Sequence, residues 1–314
     1  MNNMMTQGID GDEEQIQNPG AIKRVALLND LTAFGRCSLA VAVPVVSAFG
    51  FQACPIPTAI LSNHLGFRTY SYDDYTPKIR GVLDGLETLG VCFDAIACGF
   101  LGSDAQIPLI TRFLEIQSLN RTSSPLFCLD PVMGDQGELY STITSTHVRS
   151  LQDLAAKADL LTPNLTEACL LTDTPYHSGE WKDGQLAAIC EKLEERASDS
   201  VEDIKIVITG LWSGECVGNY IWENHSGSRF EIERSGDSRP GTGDLFAAVL
   251  LSLTLQGFSF AEAVKRAAKF VALSIGYTHK RGVPQNEGVL FEPLLSRVMR
   301  GRSESDMNTS HIDF

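Results

Sequence analysis

Apolar and polar positions fall into short blocks along the chain. Residues 23–29 form an apolar run of strand length that ends at Asp30, and such a run reads as a buried strand. A turn over residues 31–35 follows, then residues 38–49 carry apolar positions at helical spacing. Pro44 is expected to kink that helix, because proline lacks an N–H and crowds the preceding turn. Residues 52–61 read as a second strand, and Pro55 and Pro57 place it at a sheet edge, where missing donors cost least. Residues 62–66 read as a turn. Residues 67–72, aromatic and β-prone, read as a flap.

Beyond that point the alternation is regular. Helical patterns cover residues 75–89, 104–119, 146–158, 165–171 and 181–196, and strand patterns cover 94–100, 125–129, 159–161 and 204–208. Residues 216–222 and 228–233 alternate like two antiparallel strands, and helices are expected over 245–256, 260–278 and 287–300. Strand–helix alternation with apolar strands predicts an α/β fold, a mainly parallel central sheet with helices on both faces. No linker rich in Pro, Gly or Ser divides it, so residues 21–300 read as a single domain, with a disordered acidic tail over 1–20 and a second disordered tail over 301–314.

Composition narrows the function classes. A net charge of −14 and a pI of about 4.8 argue against a nucleic-acid backbone or an anionic membrane as partner. They leave a nucleotide open, since backbone dipoles and a metal can hold one. The longest apolar run, residues 39–51, is interrupted by Pro44, Ser47 and Gly50, so no membrane span is expected. The first twenty residues carry no apolar signal core, which predicts a cytoplasmic location. The eight cysteines are scattered without a C-x-x-C pair and read as reduced, mostly buried small hydrophobes.

The candidate chemistry centres on Arg239-Pro240-Gly241-Thr242-Gly243-Asp244-Leu245-Phe246, directly before a strongly helical run. Two glycines around a hydroxyl residue let the backbone turn sharply and present N–H groups that have no partner within the following helix. With the helix dipole they form a pocket for an oxyanion. A carboxylate at that rim is a poor phosphate ligand. It is well suited to taking a proton from a hydroxyl that attacks phosphorus. A plain glycine turn with Asp in the first helical turn would look the same in isolation.

Other polar residues fall where strands end, and in open α/β sheets ligands bind beyond those ends. They are Asp30, residues 62–66, 99–102, 130–135 and 162–167, and Thr209-Gly210. Asn164 and Glu167 lie three apart at a helix start, so both face one way. Glu167 there serves the helix dipole, or orders water around a magnesium ion that bridges nucleotide phosphates. Asp130 and Asp135 flank a rigid turn that reads as a capped turn or as a metal or phosphate-water site. A Gly-x-x-x-x-Gly-Lys loop is absent, and so is Gly-x-Gly-x-x-Gly after the first strand, which removes two common nucleotide folds.

Taken in order, these pieces resemble the ribokinase-like superfamily. Within it they resemble the pyridoxal kinase branch, the vitamin B6 salvage kinases. The likeness rests on Ser62-Asn63-His64, the run from Cys98 to Ser103, the run from Asp130 to Asp135, Thr162-Pro163-Asn164, Glu167, Ile208-Thr209 and Gly241-Thr242-Gly243-Asp244. The opening Asn29-Asp30-Leu31-Thr32-Ala33-Phe34-Gly35-Arg36-Cys37-Ser38 is most like bacterial-type pyridoxamine kinases. The resemblance implies a ribokinase-like three-layer sandwich. It implies that Asp244 is the base for a 5′-hydroxyl and that the Gly241, Thr242 and Gly243 amides hold the transferring phosphate. It also implies that Glu167 and Asn164 act through magnesium and water, with Asp130 and Asp135 near phosphates and metal, and that Thr162 and Thr209 line the ATP side. Asp30, His64, Leu65, Gly66 and Phe100 would surround the pyridine ring. ATP, Mg2+, a monovalent cation such as K+, a closing flap and a homodimer come with the same resemblance.

Three positions depart from the branch. Asp30 stands where many of its members have serine, Leu65 replaces a threonine and Phe100 a tyrosine. An Asp at position 30 can pair with a protonated ring nitrogen. Sugar kinases of the superfamily place an Asp there on substrate hydroxyls. Hydroxymethylpyrimidine kinases share the fold but usually carry cysteine where Asp244 stands. Sugar or hydroxymethylpyrimidine phosphorylation is therefore the alternative activity, and a non-catalytic sensor of a B6 vitamer or nucleotide is the alternative outside enzymology.

Overall fold

A computed structural model describes residues 22–119, 124–198, 201 and 203–300. The tails expected over 1–20 and 301–314 lie outside the described residues. The chain runs β1 (Arg24–Phe34), α1 (Ser38–Ala48), β2 (Gln52–Asn63), β3 (Tyr72–Asp74), α2 (Thr76–Thr88), β4 (Ala95–Cys98), a 3-10 turn (Asp104–Gln106) and α3 (Ile107–Leu119). It continues through β5 (Leu126–Leu129), a hairpin of β6 (Gly134–Asp135) and β7 (Glu138–Leu139), α4 (Ser145–Ala155), β8 (Leu160–Leu161), α5 (Leu165–Leu171) and α6 (Asp183–Arg196). It closes with β9 (Lys205–Ser213), β10 (Cys216–Glu223), β11 (Ser226–Glu233), α7 (Thr242–Leu255), α8 (Phe260–Lys280) and α9 (Leu295–Arg300).

The main sheet has the order β11-β10-β9-β8-β5-β4-β1-β2-β3. The strands from β9 across to β2 pair in parallel, while β3, β10 and β11 are antiparallel. Side chains alternate between two cores, as a strand covered on both faces requires. Ala26, Leu28, Ile96, Ile206 and Ile208 point toward the helices α2 to α6, and Val25, Leu27, Ala95 and Val207 toward α1, α7, α8 and α9. This is the three-layer sandwich. Because β1 has β2 on one side and β4 on the other, the chain reverses its winding direction there. Such a switch point opens a crevice at the carboxyl edge of the sheet.

Four local expectations need correction. Residues 31–34 are not a turn, because β1 continues through them in register with β2 as far as Phe34 opposite Asn63. The pairing slips between Asn29 and Leu31, and this bulge re-aims the strand without ending it. β2 is not the edge strand, since β3 pairs outside it. β3 reaches only Ala59, Ile60 and Leu61, so the half that carries Pro55 and Pro57 still has one open side. Thr209 and Gly210 lie within β9 and do not end it. Residues 287–300 are not one helix. A 3-10 turn at Gln285–Glu287, Gly288 at φ 78° and another 3-10 turn at Glu292–Leu294 break it before α9.

Candidate active site

The first turn of α7 is built around Gly241. It caps the helix in the left-handed conformation (φ 78°, ψ 1°), and a Cβ there would overlap the Arg36 carbonyl. Only glycine meets both demands. The first helical bond runs from Leu245 N–H to Gly241 O (2.9 Å). The N–H groups of Thr242 and Gly243 precede it and have no acceptor within the helix. The Thr242 hydroxyl donates back to Arg239 O (3.0 Å), which braces the turn. A nest of donors at a helix start thus stands at the crevice, with Asp244 on the same turn.

Asp244 faces the end of β1. Its Oδ1 accepts from Asn29 Nδ2 at 3.0 Å. Burial pushes the carboxyl up to about 6, against the Ser38 backbone N–H, which favours the charged form. The Asp30 carboxylate adds to the rise, and the Asn29 amide resists it. A base poised near 6 is charged at neutral pH yet able to hold a proton during turnover. Across the crevice lies Asp130, at the end of β5. A Cβ on Gly243 would stand 3.7 Å from Asp130 Oδ2, so this carboxylate lies against the donor turn. Burial raises Asp130 well above the usual carboxylate range, and the charge of Asp244 raises it further.

Asn164 and Glu167 form a reciprocal cap on α5. Glu167 N–H donates to Asn164 Oδ1 (3.0 Å) and Asn164 N–H to Glu167 Oε2 (2.8 Å). Met133 N–H donates to Glu167 Oε1 (3.1 Å), and Asn164 Nδ2 donates to Gly134 O (2.8 Å). Burial raises Glu167 strongly, and neighbouring Asp130 raises it again. Two neighbouring carboxylates oppose each other's ionisation, and a proton or a cation relieves the repulsion. Thr162 lies toward Asp130 and favours its charged form, but its buried hydroxyl completes no hydrogen bond. That orphaned oxygen suits a ligand or ion between them. Among the described residues no three His, Cys, Asp or Glu side chains converge to hold a metal unaided. The chemistry of the Asp130, Glu167 and Thr162 oxygens is that of donors to a hard cation. Asp135 is exposed on the β6–β7 hairpin, where its Oδ1 accepts Gln136 N–H (2.8 Å). Thr209 bridges to Asn164 at the far end of the row.

Because these carboxyl values are raised, the sign of the pH effect follows. Between the unfolded and folded values the folded chain binds more protons, so Asp130 costs stability progressively as pH rises through its folded value. Asp130→Asn should therefore melt at higher temperature than the parent at pH 8. The gap should shrink toward pH 4 in thermal scans.

The residues expected to surround the substrate ring lie near the ends of β1, β2 and β4. Asp30 is buried, and its carboxylate accepts Ser38 Oγ (2.5 Å) and Thr32 Oγ1 (2.6 Å). Burial raises the Asp30 carboxyl above its ordinary value, and the Ser38 and Thr32 hydroxyls oppose the rise. His64 accepts Gly66 N–H at Nδ1 (3.1 Å) and meets Asn286 O from Nε2 (2.7 Å), which assigns the proton to Nε2. Both ring nitrogens are thus engaged, and the ring ties residues 64–66 to the loop before α9. Leu65 and Phe100 share a small apolar cluster with Leu61, Tyr72 and Val132.

Sequence reasoning missed four contributors. Asn29 and Ser38 hold Asp244, and Tyr140 lies within the electrostatic reach of the acidic group. Burial and the charges of Glu167, Asp135, Asp130 and Asp244 push the Tyr140 phenol upward. Arg239 donates to Val283 O (2.9 Å), Pro284 O (3.0 Å) and Gly288 O (3.2 Å), which pins the loop behind Gly241. Arg239, Asn29 and Ser38 lie within the motif stretches, yet nothing in those stretches shows what each one holds; Tyr140 had no signal.

Comparison with known proteins places the chain in a family. A pyridoxal kinase of Arabidopsis thaliana is 28% identical over 306 residues, covering 94% of each chain. The structure of a Bacteroides thetaiotaomicron protein described as a phosphomethylpyrimidine kinase, in a crystal form with pyridoxal, superposes with a TM-score of 0.80 at 32% identity. It covers 88% of this chain and 96% of that one. Pyridoxal kinase from Lactobacillus plantarum gives a TM-score of 0.80 at 28% identity, covering 89% and 97%. Residues 46–288 match the phosphomethylpyrimidine kinase family, a span that takes in the crevice from His64 to Asp244; the chain belongs to that family and is a phosphotransferase acting on an alcohol group.

Proposed function

We propose that this chain transfers the γ-phosphoryl group of ATP to the 5′-hydroxymethyl of pyridoxal, pyridoxamine or pyridoxine. The observation that carries the reading is Asp244, a carboxyl poised near 6 on the same first helical turn as the Thr242 and Gly243 N–H groups, which have no acceptor within the helix. In the reaction Asp244 takes the hydroxyl proton as the oxygen forms its bond to phosphorus, and the bond from phosphorus to ADP breaks. The amides of Gly241, Thr242 and Gly243 face the equatorial oxygens, where charge gathers in the transition state. Leu65, Gly66 and Phe100 wall the ring, with Asp30 and His64 at its polar edge. Asp130, Asp135, Thr162, Asn164, Glu167 and Thr209 lie along the nucleotide side.

Bound magnesium would neutralise the phosphates, and Glu167 and Asp135 would hold it largely through water. The orphaned Thr162 hydroxyl and the paired charges of Asp130 and Glu167 support that assignment. A stimulating potassium ion, a homodimer and a cytoplasmic location belong to the same proposal. Among the described residues no helix is long and apolar enough to cross a membrane.

Hydroxymethylpyrimidine is the second acceptor to weigh, because the matching family carries its name. The acid at position 244, where those kinases usually have cysteine, favours the B6 vitamers. An ADP-release assay on three B6 vitamers, hydroxymethylpyrimidine and simple sugars decides between them. Release with a vitamer is expected. Release with the pyrimidine or a sugar alone would move the chain to another branch, and release with none would favour a sensor.

A further inference from the structure

Asn29 sits at a three-way junction between the base, the substrate wall and the first strand. It is nearly buried, at 9% exposure. Its Oδ1 accepts two backbone N–H groups, Asp30 and Phe100, each at 2.9 Å. Backbone N–H groups only donate, so the orientation of the amide is forced, and Nδ2 must face Asp244 Oδ1, 3.0 Å away. Two features of the fold serve this placement. The register slip between Asn29 and Leu31 lets consecutive polar residues of β1 be buried together at the crevice. Gly99, at the end of β4, leaves room for the amide: a Cβ there would stand 2.5 Å from Asn29 Nδ2.

We propose that Asn29 is a positioning residue that holds Asp244 in its proton-accepting rotamer and ties it to the wall at Phe100, with Gly99 kept small to admit the amide. This rests on the kinase reading above. By holding Oδ1, with the Ser38 N–H as a second tether, the amide fixes the direction in which the carboxylate meets the substrate hydroxyl. A carboxylate free to rotate would lose that alignment, and misplacement of a reacting group is costly in rate. Because the amide touches Asp244 and backbone, its loss should appear in kcat, not in the KM of the acceptor.

Asn29→Asp is the sharpest variant. It keeps an acceptor for the Asp30 and Phe100 N–H groups but sets an oxygen against Asp244. Wild type, N29D, N29A, D244N and the two double variants with D244N are assayed for ADP release and melted by heat. N29D and N29A should lower kcat roughly 100-fold with acceptor KM within about threefold. In the D244N background neither should lower the residual rate further, since the route runs through Asp244. The exchanged pair N29D/D244N restores a donor facing a carboxylate and should regain the melting temperature lost in N29D, without activity. An equal loss of rate in both backgrounds, or a raised KM with kcat unchanged, would overturn the assignment. An inactive wild type would sink the kinase reading itself, and with it the role given to Asn29. An active wild type that is insensitive at Asn29 would sink this inference alone.

Discussion

Asp244→Asn should lower kcat roughly 1,000-fold while leaving nucleotide affinity within a fewfold of the parent. General-base catalysis is worth about 10²–10⁴ in rate, and the site depends on it heavily because the remaining work is positioning and charge stabilisation. The substitution is nearly isosteric and keeps an oxygen to accept the Asn29 amide. It also removes a buried charge that Asp30 opposes, so the variant should fold at least as stably as the parent at pH 8. Rate loss with retained fold separates a missing base from a damaged site. Steady-state kinetics, nucleotide titration and a thermal scan on one preparation check all three. A variant within about tenfold of the parent would remove Asp244 as the base.

Gly241→Ala is the second large effect, and its cause is backbone geometry. An L-residue at φ 78° costs roughly 1–3 kcal/mol. The added methyl also meets the Arg36 carbonyl, which cannot swing aside as a side-chain tip can. Arg36 is held in turn: its N–H donates to Glu287 O (3.3 Å) and its Nε to Glu292 Oε1 (2.6 Å). The turn must therefore shift, and the N–H groups aimed at the transferring phosphate shift with it. Loss of such donors costs about 10²–10³ in kcat. We expect G241A to lose both urea stability and most of its turnover. Gly243→Ala should be milder on both counts, because Gly243 has no positive φ and its nearest added contact is Asp130 Oδ2 at 3.7 Å.

Much of this was legible because it rests on short-range rules. Strand–helix alternation, a glycine pair before a helix and Asn-x-x-Glu at a helix start each follow from local geometry, and β5, α5 and α7 appear within a few residues of expectation. What escaped depends on partners far along the chain. The extension of β1 through Phe34 needs β2 beside it. The interior place of β2 needs β3, a strand of three residues that no periodicity announces. The helix expected over 287–300 fails at Gly288, whose added Cβ would meet Arg36 and Pro240 O. The hold of Asn29 on Asp244 spans 215 positions, so it is visible only once the sheet is assembled. Motif residues show which groups reach the crevice, and the fold shows what orients them.

The claim beneath these expectations is that a carboxylate at position 244 takes the proton. The pH dependence of kcat tests it most directly, measured from pH 5 to 8 on the parent with a B6 vitamer and on the residual rate of Asp244→Asn. The parent should lose turnover as pH falls through about 6, as Asp244 becomes protonated. The residual rate of the variant should be flat over the same range. An acidic limb that persists unchanged in the variant would assign the proton to another group and contradict the account.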